Sequence, residues 1–405
     1  MKPNVYSEIG KLKTVLLHRP GKELENLTPD LLEKLLFDDI PYLKVAQEEH
    51  DAFADALRKE GVEVLYITTM MEEALEANPD KVDDLIARFI EEADVKSSTV
   101  RNALTSYLKS LSYATMINKM IEGIRTHDVK IDKRFSIIDL LEDEYPFFTD
   151  PMPNILFQRD PFATLGEGVA INKMHTTTRR RETIFSDFVL RHHPRFKGIQ
   201  FPHYYERHNK YTLEGGDILV LNEKTLAIGI SKRTDPRAIE HLARNLFKEN
   251  TTFETILAFN IPKTRAFMHL DTVLTQIDHG VFTIHPGIMR TLTVFEITKQ
   301  GESIHVEKVV STLETILEKH LHRPIELIHC GGSDTVHSER EQWNDGANTL
   351  AVEPGKVIVY SRNHITNAIL RSKGIKVIEI PSSELSRGRG GPRCMSMPII
   401  REDIE

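Results

Sequence analysis

Short turns rich in glycine, carboxylates and histidine recur along much of this chain, about 50 to 60 residues apart. They stand at Arg159-Asp160, Glu214-Gly215-Gly216-Asp217, His269-Leu270-Asp271, Cys330-Gly331-Gly332 and Arg389 to Cys394. A pattern repeated at a fixed period marks repeated supersecondary units, here expected to be arranged around an axis. Between the turns lie runs that read as strands: Asn154 to Phe157, Val169 to Asn172, Asp217 to Leu221, Leu226 to Ile230, Thr272 to Ile277 and Val281 to Ile284. Glu326 to His329, Val357 to Tyr360 and Lys376 to Ile380 follow, and helical spacing marks Pro236 to Phe247 and Ser311 to His320. The expected class is mixed α/β.

The opening segment reads as strand, helix, helix, strand. Val15-Leu16-Leu17 comes first; Thr28 and Pro29 are N-cap and first helical position of a short helix; a second runs from near Pro41 to Gly61, before Val62 to Ile67. From about residue 70 the texture changes, since Gly123 is the only glycine between Gly61 and Gly166. Val82, Leu85, Ile86, Phe89 and Ile90 form one helical stripe; Tyr113, Met116, Ile117, Met120, Ile121 and Ile124 form another. Residues 70–149 are therefore expected to be an all-helical insertion in a body made of 1–69 and 150–405.

Composition narrows the function. With 405 residues, 40% hydrophobic and 28% charged, the chain fits a globular enzyme. A net charge of −8 argues against nucleic acid as partner. The N-terminus carries no secretory or membrane-spanning run, and two cysteines are too few for a disulfide framework or a zinc cluster, so a cytoplasmic protein is expected. Neither a Walker loop nor a dinucleotide fingerprint is present, and the histidines lack metal-ligand spacing; no cofactor and no metal are expected.

Cys394 sits in the loop Gly388-Arg389-Gly390-Gly391-Pro392-Arg393-Cys394, where glycines permit close backbone approach and two arginines would favour a thiolate. A lone cysteine is ordinarily a small buried hydrophobe, the reading that suits Cys330. His269 and Asp271, two apart at an expected strand edge, would share one face. Glu214 and Asp217 flank a glycine pair, which a turn alone would not require. Asp160 reads equally as the closing residue of an Asx-type turn, and Arg179-Arg180-Arg181 as a solvated charge run.

Together, Phe157-Gln158-Arg159-Asp160, Glu214 to Asp217, Met268 to Asp271, Arg340 to Asn348 and the Gly388 to Met395 loop closely resemble the bacterial arginine deiminases over essentially the whole chain. The resemblance implies a five-bladed, pseudo-symmetric α/β propeller of the guanidino-group-modifying (pentein) superfamily, with the insertion as a helical satellite. It also implies that Cys394 is the nucleophile, that Glu214 and His269 assist proton transfer, and that Asp160 and Asp271 hold the substrate guanidinium. Arg179, Arg233, Arg389, Gly388 and Asn154 would bind the amino-acid end, with Phe157 lining the pocket; Arg393 receives no role.

The implied reaction converts free L-arginine to L-citrulline and ammonia through an amidino-thioether on the cysteine, without cofactor. A guanidinium is resonance-stabilised and cationic, so it needs a stronger nucleophile than water, and cations beside the thiol, the substrate included, supply one. Paired carboxylates match its fork of donors, and an empty site is expected to hold water or distort. The rivals are a sister guanidine hydrolase or amidinotransferase and a non-catalytic arginine sensor. Arginines at the tail end disfavour a substrate lacking a carboxylate; retention of Cys394, His269 and Glu214 disfavours the sensor. A homo-oligomer without membrane partner is expected.

Overall fold

The computed structural model describes residues 1–131, 137, 145–249, 251–264, 266–288, 292–301 and 303–404. Part of the expected insertion, 132–136 and 138–144, lies outside the described residues.

One unit recurs five times in the described chain: an antiparallel strand pair, a helix, and a third strand parallel to the second. Phe162–Leu165 pairs antiparallel with Gly168–Ile171; after the helix Glu182–His192, His203–Tyr205 joins in parallel. Ile218–Val220, Thr225–Ile230 and Thr255–Asn260 repeat the plan around the helix Pro236–Lys248, and the hairpin Thr293–Gln300/Ser303–Val309 widens that sheet to five strands. Leu274–Asp278, Val281–Ile284 and Glu326–His329 form the next sheet, around the helix Leu313–Leu321. Leu350–Glu353, Lys356–Tyr360 and Lys376–Ile380 form another, around the helix His364–Ser372. In the remaining sheet the chain's ends meet. Leu12–Leu17 pairs antiparallel with Met397–Arg401 and, after the helix Leu43–Lys59, parallel with Glu63–Tyr66. A two-residue connection cannot join parallel strands, which is why a helix recurs in each unit.

Four helices, Ile67–Ala77, Val82–Glu92, Ser98–Lys109 and Tyr113–Glu122, occupy the glycine-poor region. Ser97 and Ser112 cap two of them by accepting the backbone N–H of Val100 and Thr115. The segment is not all helical, however: Ile124–Arg125 pairs with Phe147–Thr149. Two strand residues are too few to show any alternation. The apolar faces of these helices also pack into the body, since Met71, Phe89, Leu104 and Ile117 share one hydrophobic cluster with Leu16, Phe162, Phe185 and Met397.

Two strand expectations need correction. Residues 153–156 form a 3-10 turn, with Pro153 at its first position supplying the preset φ, and not the strand expected for Asn154 to Phe157. His269 likewise precedes a 3-10 turn, Leu270–Thr272, and the strand begins only at Leu274.

Candidate active site

The turns that bear chemistry precede strands instead of ending them. Asp160, Glu214, Asp271, Asn348 and Cys394 each lie two to four residues before the first strand of a unit, at Phe162, Ile218, Leu274, Leu350 and Met397. The fourth unit therefore contributes Asn348, not Cys330-Gly331-Gly332. Cys330 follows the third strand of its sheet, and burial pushes its thiol up to about 12.

At the centre, Cys394 is 5% exposed, Asp160 and His269 3%, and Glu214 and Asp271 0%. His269 Nε2 lies 2.7 Å from Oε2 of Glu214, and its Nδ1 3.7 Å from Oδ1 of Asp160. Burial opposes the imidazolium, but the carboxylates of Asp160, Glu214 and Asp217 outweigh it and hold the His269 pKa up at about 9. Glu214 stays ionised against its burial, because Arg233 and His269 favour its charge; Arg233 Nη1 is 3.3 Å away, and the His175 backbone N–H donates at 2.9 Å. Gly216 is required for this packing, since a Cβ there would stand 2.7 Å from His269 Nδ1.

Asp217, the second acid of its motif, does not enter the centre. It braces two turns, accepting the Ser231 hydroxyl at 2.7 Å and the Leu270 N–H at 2.9 Å, with burial pushing its pKa to about 6.

The Cys394 thiol donates to Asp271 Oδ2 at 3.5 Å. Its backbone N–H donates to the Asn348 side chain at 3.0 Å, and Asn348 Nδ2 donates to the Asp271 carbonyl at 3.0 Å, so one amide ties the Cys394 loop to the Asp271 turn. The surroundings of the thiol run against the expectation that neighbouring arginines favour a thiolate. Burial, then the charges of Asp271, Asp160 and Asp345, raise the thiol well above its ordinary value, and Arg393 only partly opposes them.

Within the expected carboxylate pair, Asp160 has an internal partner. Arg179 Nη1 sits 2.8 Å from Asp160 Oδ2 and 3.9 Å from Glu214 Oε2, while its Nε and Nη2 pair with Glu182. Arg179 is 2% exposed and Arg181 3%, so these two do not belong to a solvated charge run. Asp160, Glu214 and His269 bring ligand atoms within 4.8 Å of one another, close enough for a metal ion, but a guanidinium already neutralises that corner.

Other expected residues are placed as follows. Asn154 accepts Arg179 Nη2 at its carbonyl, 3.3 Å away, and donates its amide to the Leu35 carbonyl. Phe157 packs on the backbone of Gly388 and Gly390, where a side chain would collide with its ring. Arg389 turns aside: its guanidinium stacks 3.6 Å over Trp343 and its Nη1 is 3.3 Å from Asp38. Sequence reasoning missed Glu8, Glu182, Asn348 and Arg393. Arg393 was visible beside the cysteine, and Asn348 within a quoted motif; nothing in the N-terminal sequence singles out Glu8.

An arginine deiminase family model matches residues 33–401. The arginine deiminase of Clostridium perfringens (strain SM101 / Type A) is 58% identical, covering 99% of this chain and 98% of its own length. That of Borrelia duttonii (strain Ly) is 54% identical, over 100% of this chain and 99% of its own. Among solved structures, the product-bound N-terminal domain of ArgZ, an arginine dihydrolase of Cyanobacteria, covers 96% of this chain and 97% of its own at TM-score 0.54 and 14% identity, a likeness of fold. The chain belongs to the arginine deiminase family.

Proposed function

We propose that this chain hydrolyses free L-arginine to L-citrulline and ammonia, with Cys394 as nucleophile. One observation carries the reading: a buried thiol faces Asp271 while an imidazole held between Asp160 and Glu214 is kept protonated. That pairs an attacker with a proton donor around a cation-binding carboxylate pair.

The substrate guanidinium displaces Arg179 from Asp160 and takes the Asp271 Oδ1 oxygen, which has no partner among the described residues. Its positive charge offsets the carboxylates that hold the thiol protonated, so binding promotes ionisation, and the thiol proton passes to solvent. The thiolate attacks the guanidinium carbon and forms the C–S bond. The C–N bond to a terminal nitrogen then breaks as His269 donates a proton, releasing ammonia. Water, deprotonated by His269 with Glu214 behind it, attacks the amidino-thioether; the C–S bond breaks, the proton of the new hydroxyl returns to the sulfur, and citrulline leaves. Arg179, Arg233 and Arg389, with Asn154 and Gly388, bind the amino-acid end, and Phe157 lines the pocket.

The five repeated units support a further proposal, that the sheets stand as five blades around a pseudo-symmetry axis, with 70–149 inserted between 1–69 and 150–405. Both cysteines are buried free thiols, which supports a cytoplasmic setting. Among the described residues no helix is long and apolar enough to cross a membrane. A homo-oligomer is proposed on family membership.

The test incubates purified protein with L-arginine, agmatine and a methylated arginine, scoring ureido product and ammonia without added metal. Arginine should be consumed. Cys394→Ala should lose ~10⁴-fold or more in turnover while still binding arginine. Cys330→Ala should keep its activity at a stability cost of about 0.5 to 1.5 kcal/mol. Ammonia release from Cys394→Ala at the parental rate would remove the nucleophile assignment.

A further inference from the structure

We propose that Glu8 and Arg393 are positioning residues: Glu8 restrains the Arg393 guanidinium so that it grips one oxygen of Asp271 and leaves the other to the substrate. The inference rests on the reading of Asp271 as a ligand of the substrate guanidinium.

A guanidinium presents a fork of donors that fits a carboxylate bidentately. Arg393 spends that fork on Glu8, with Nε 2.9 Å from Oε2 and Nη2 3.0 Å from Oε1. Only Nη1 remains for Asp271, at 2.7 Å from Oδ2. Oδ1 of the same carboxylate is buried and has no partner among the described residues. An unpaired carboxylate oxygen shut away from water is costly, and such a vacancy in a substrate site suits a donor that arrives with the ligand.

The clamp is itself fixed. Glu8 Oε1 accepts the Val220 N–H at 3.0 Å, and Arg393 Nη2 donates to the Ile218 carbonyl at 2.8 Å. Arg159 Nε donates to the Arg393 carbonyl at 3.2 Å, pinning the backbone one residue before the nucleophile. Although burial opposes its charge, the guanidiniums of Arg393 and Arg159 hold Glu8 down at about 2, so the restraint persists through neutral pH. Without Glu8, Arg393 could turn its fork onto Asp271 and occupy both oxygens. The protein would then compete with its own substrate at the second carboxylate as Arg179 does at the first.

A double-mutant cycle tests this, using Glu8→Gln, Arg393→Met and the double variant with L-arginine. Parental turnover, and its loss in Asp271→Ala, checks the underlying reading separately. Glu8→Gln should raise KM by about one to two decades with a small change in kcat, the worth of one charge-assisted hydrogen bond. Arg393→Met should lower kcat, by ~100-fold if Asp271 shifts by about 1 Å. In the double variant the KM rise should vanish, because the competing guanidinium is gone. If Glu8→Gln does not fold, the double variant, which removes one charge of each sign, is compared with Arg393→Met alone, where equal kcat/KM is expected. Additive effects, or a further loss in the double variant, would overturn the proposal and make Glu8 a brace of the fold only.

Discussion

Asp160 and Arg179 form an ion pair buried from water, Nη1 to Oδ2 at 2.8 Å, where the proposed reaction requires the guanidinium of a substrate. An arginine side chain and arginine as substrate present the same planar cation. Leaving a buried carboxylate unpaired is expensive, and Arg179 supplies Asp160 with an internal partner. Substrate binding is then an exchange of one guanidinium for another, and its gain is a difference between two similar pairings. Glu182 gives Arg179 somewhere to remain: it holds Nε and Nη2 at 3.0 and 2.9 Å, independently of Asp160.

The His269 pairing makes stability depend on pH with a definite sign. Its folded pKa of about 9 lies above that of an unfolded histidine, ~6.5. The stabilisation is therefore fully present below about 6.5 and is lost as pH rises from there through about 9. His269→Asn should flatten that loss, worth on the order of a few kcal/mol in a folded parent. Urea unfolding at pH 6, 7.5 and 9 measures it; an unchanged slope would mean that the ring is neutral in the free protein.

Asp271→Asn should make Cys394 more reactive toward a general alkylating agent and worse at catalysis. The side chain proposed to orient the substrate also accepts the thiol proton of Cys394. After burial, its charge is the leading cause of the raised thiol pKa. Removing it should move the midpoint of iodoacetamide alkylation against pH downward by roughly 1 to 3 units, while turnover falls ~100-fold. A midpoint that stays put would show that burial alone governs the thiol.

Arg389 carries the strongest claim to selectivity and the least direct placement. It stacks on Trp343, half exposed at 47%, and adopts a left-handed φ of 60° that a non-glycine residue holds only at a cost of about 1 kcal/mol or more. If it swings to the substrate carboxylate, Arg389→Ala should shrink the preference for arginine over agmatine by about one to two decades. Comparing kcat/KM for both substrates measures this. Equal fractional losses would assign Arg389 to the loop and not to the carboxylate.

Much of this arrangement was legible because its residues are close in sequence. Glu214 with Gly216, His269 with Asp271, and Cys394 within its glycine loop each announce themselves locally. The repeat was legible too, but its phase was not. Turn residues before a strand and after one look alike, so Cys330-Gly331-Gly332 reads as the fourth element where Asn348 stands. Asn154 to Phe157 looked like a strand because apolar residues fill buried turns as readily as buried strands. Charge state was the least legible: Arg393 beside the cysteine suggests a thiolate, but the carboxylates that oppose it come from distant turns. Glu8 and Arg393, 385 residues apart, meet only in three dimensions.

The sheet in which Leu12–Leu17 is flanked by Met397–Arg401 sets an order of events for a chain made from its N-terminus onward. Every carboxylate and the imidazole of the site leave the ribosome before Cys394 does, and Cys394 emerges three residues ahead of the strand that completes this sheet. An unfinished polypeptide therefore carries the proposed binding corner without the sulfur of Cys394. The proposed nucleophile and the strand Met397–Arg401 arrive together, so the chain gains that sulfur as Leu12–Leu17 gains its second partner.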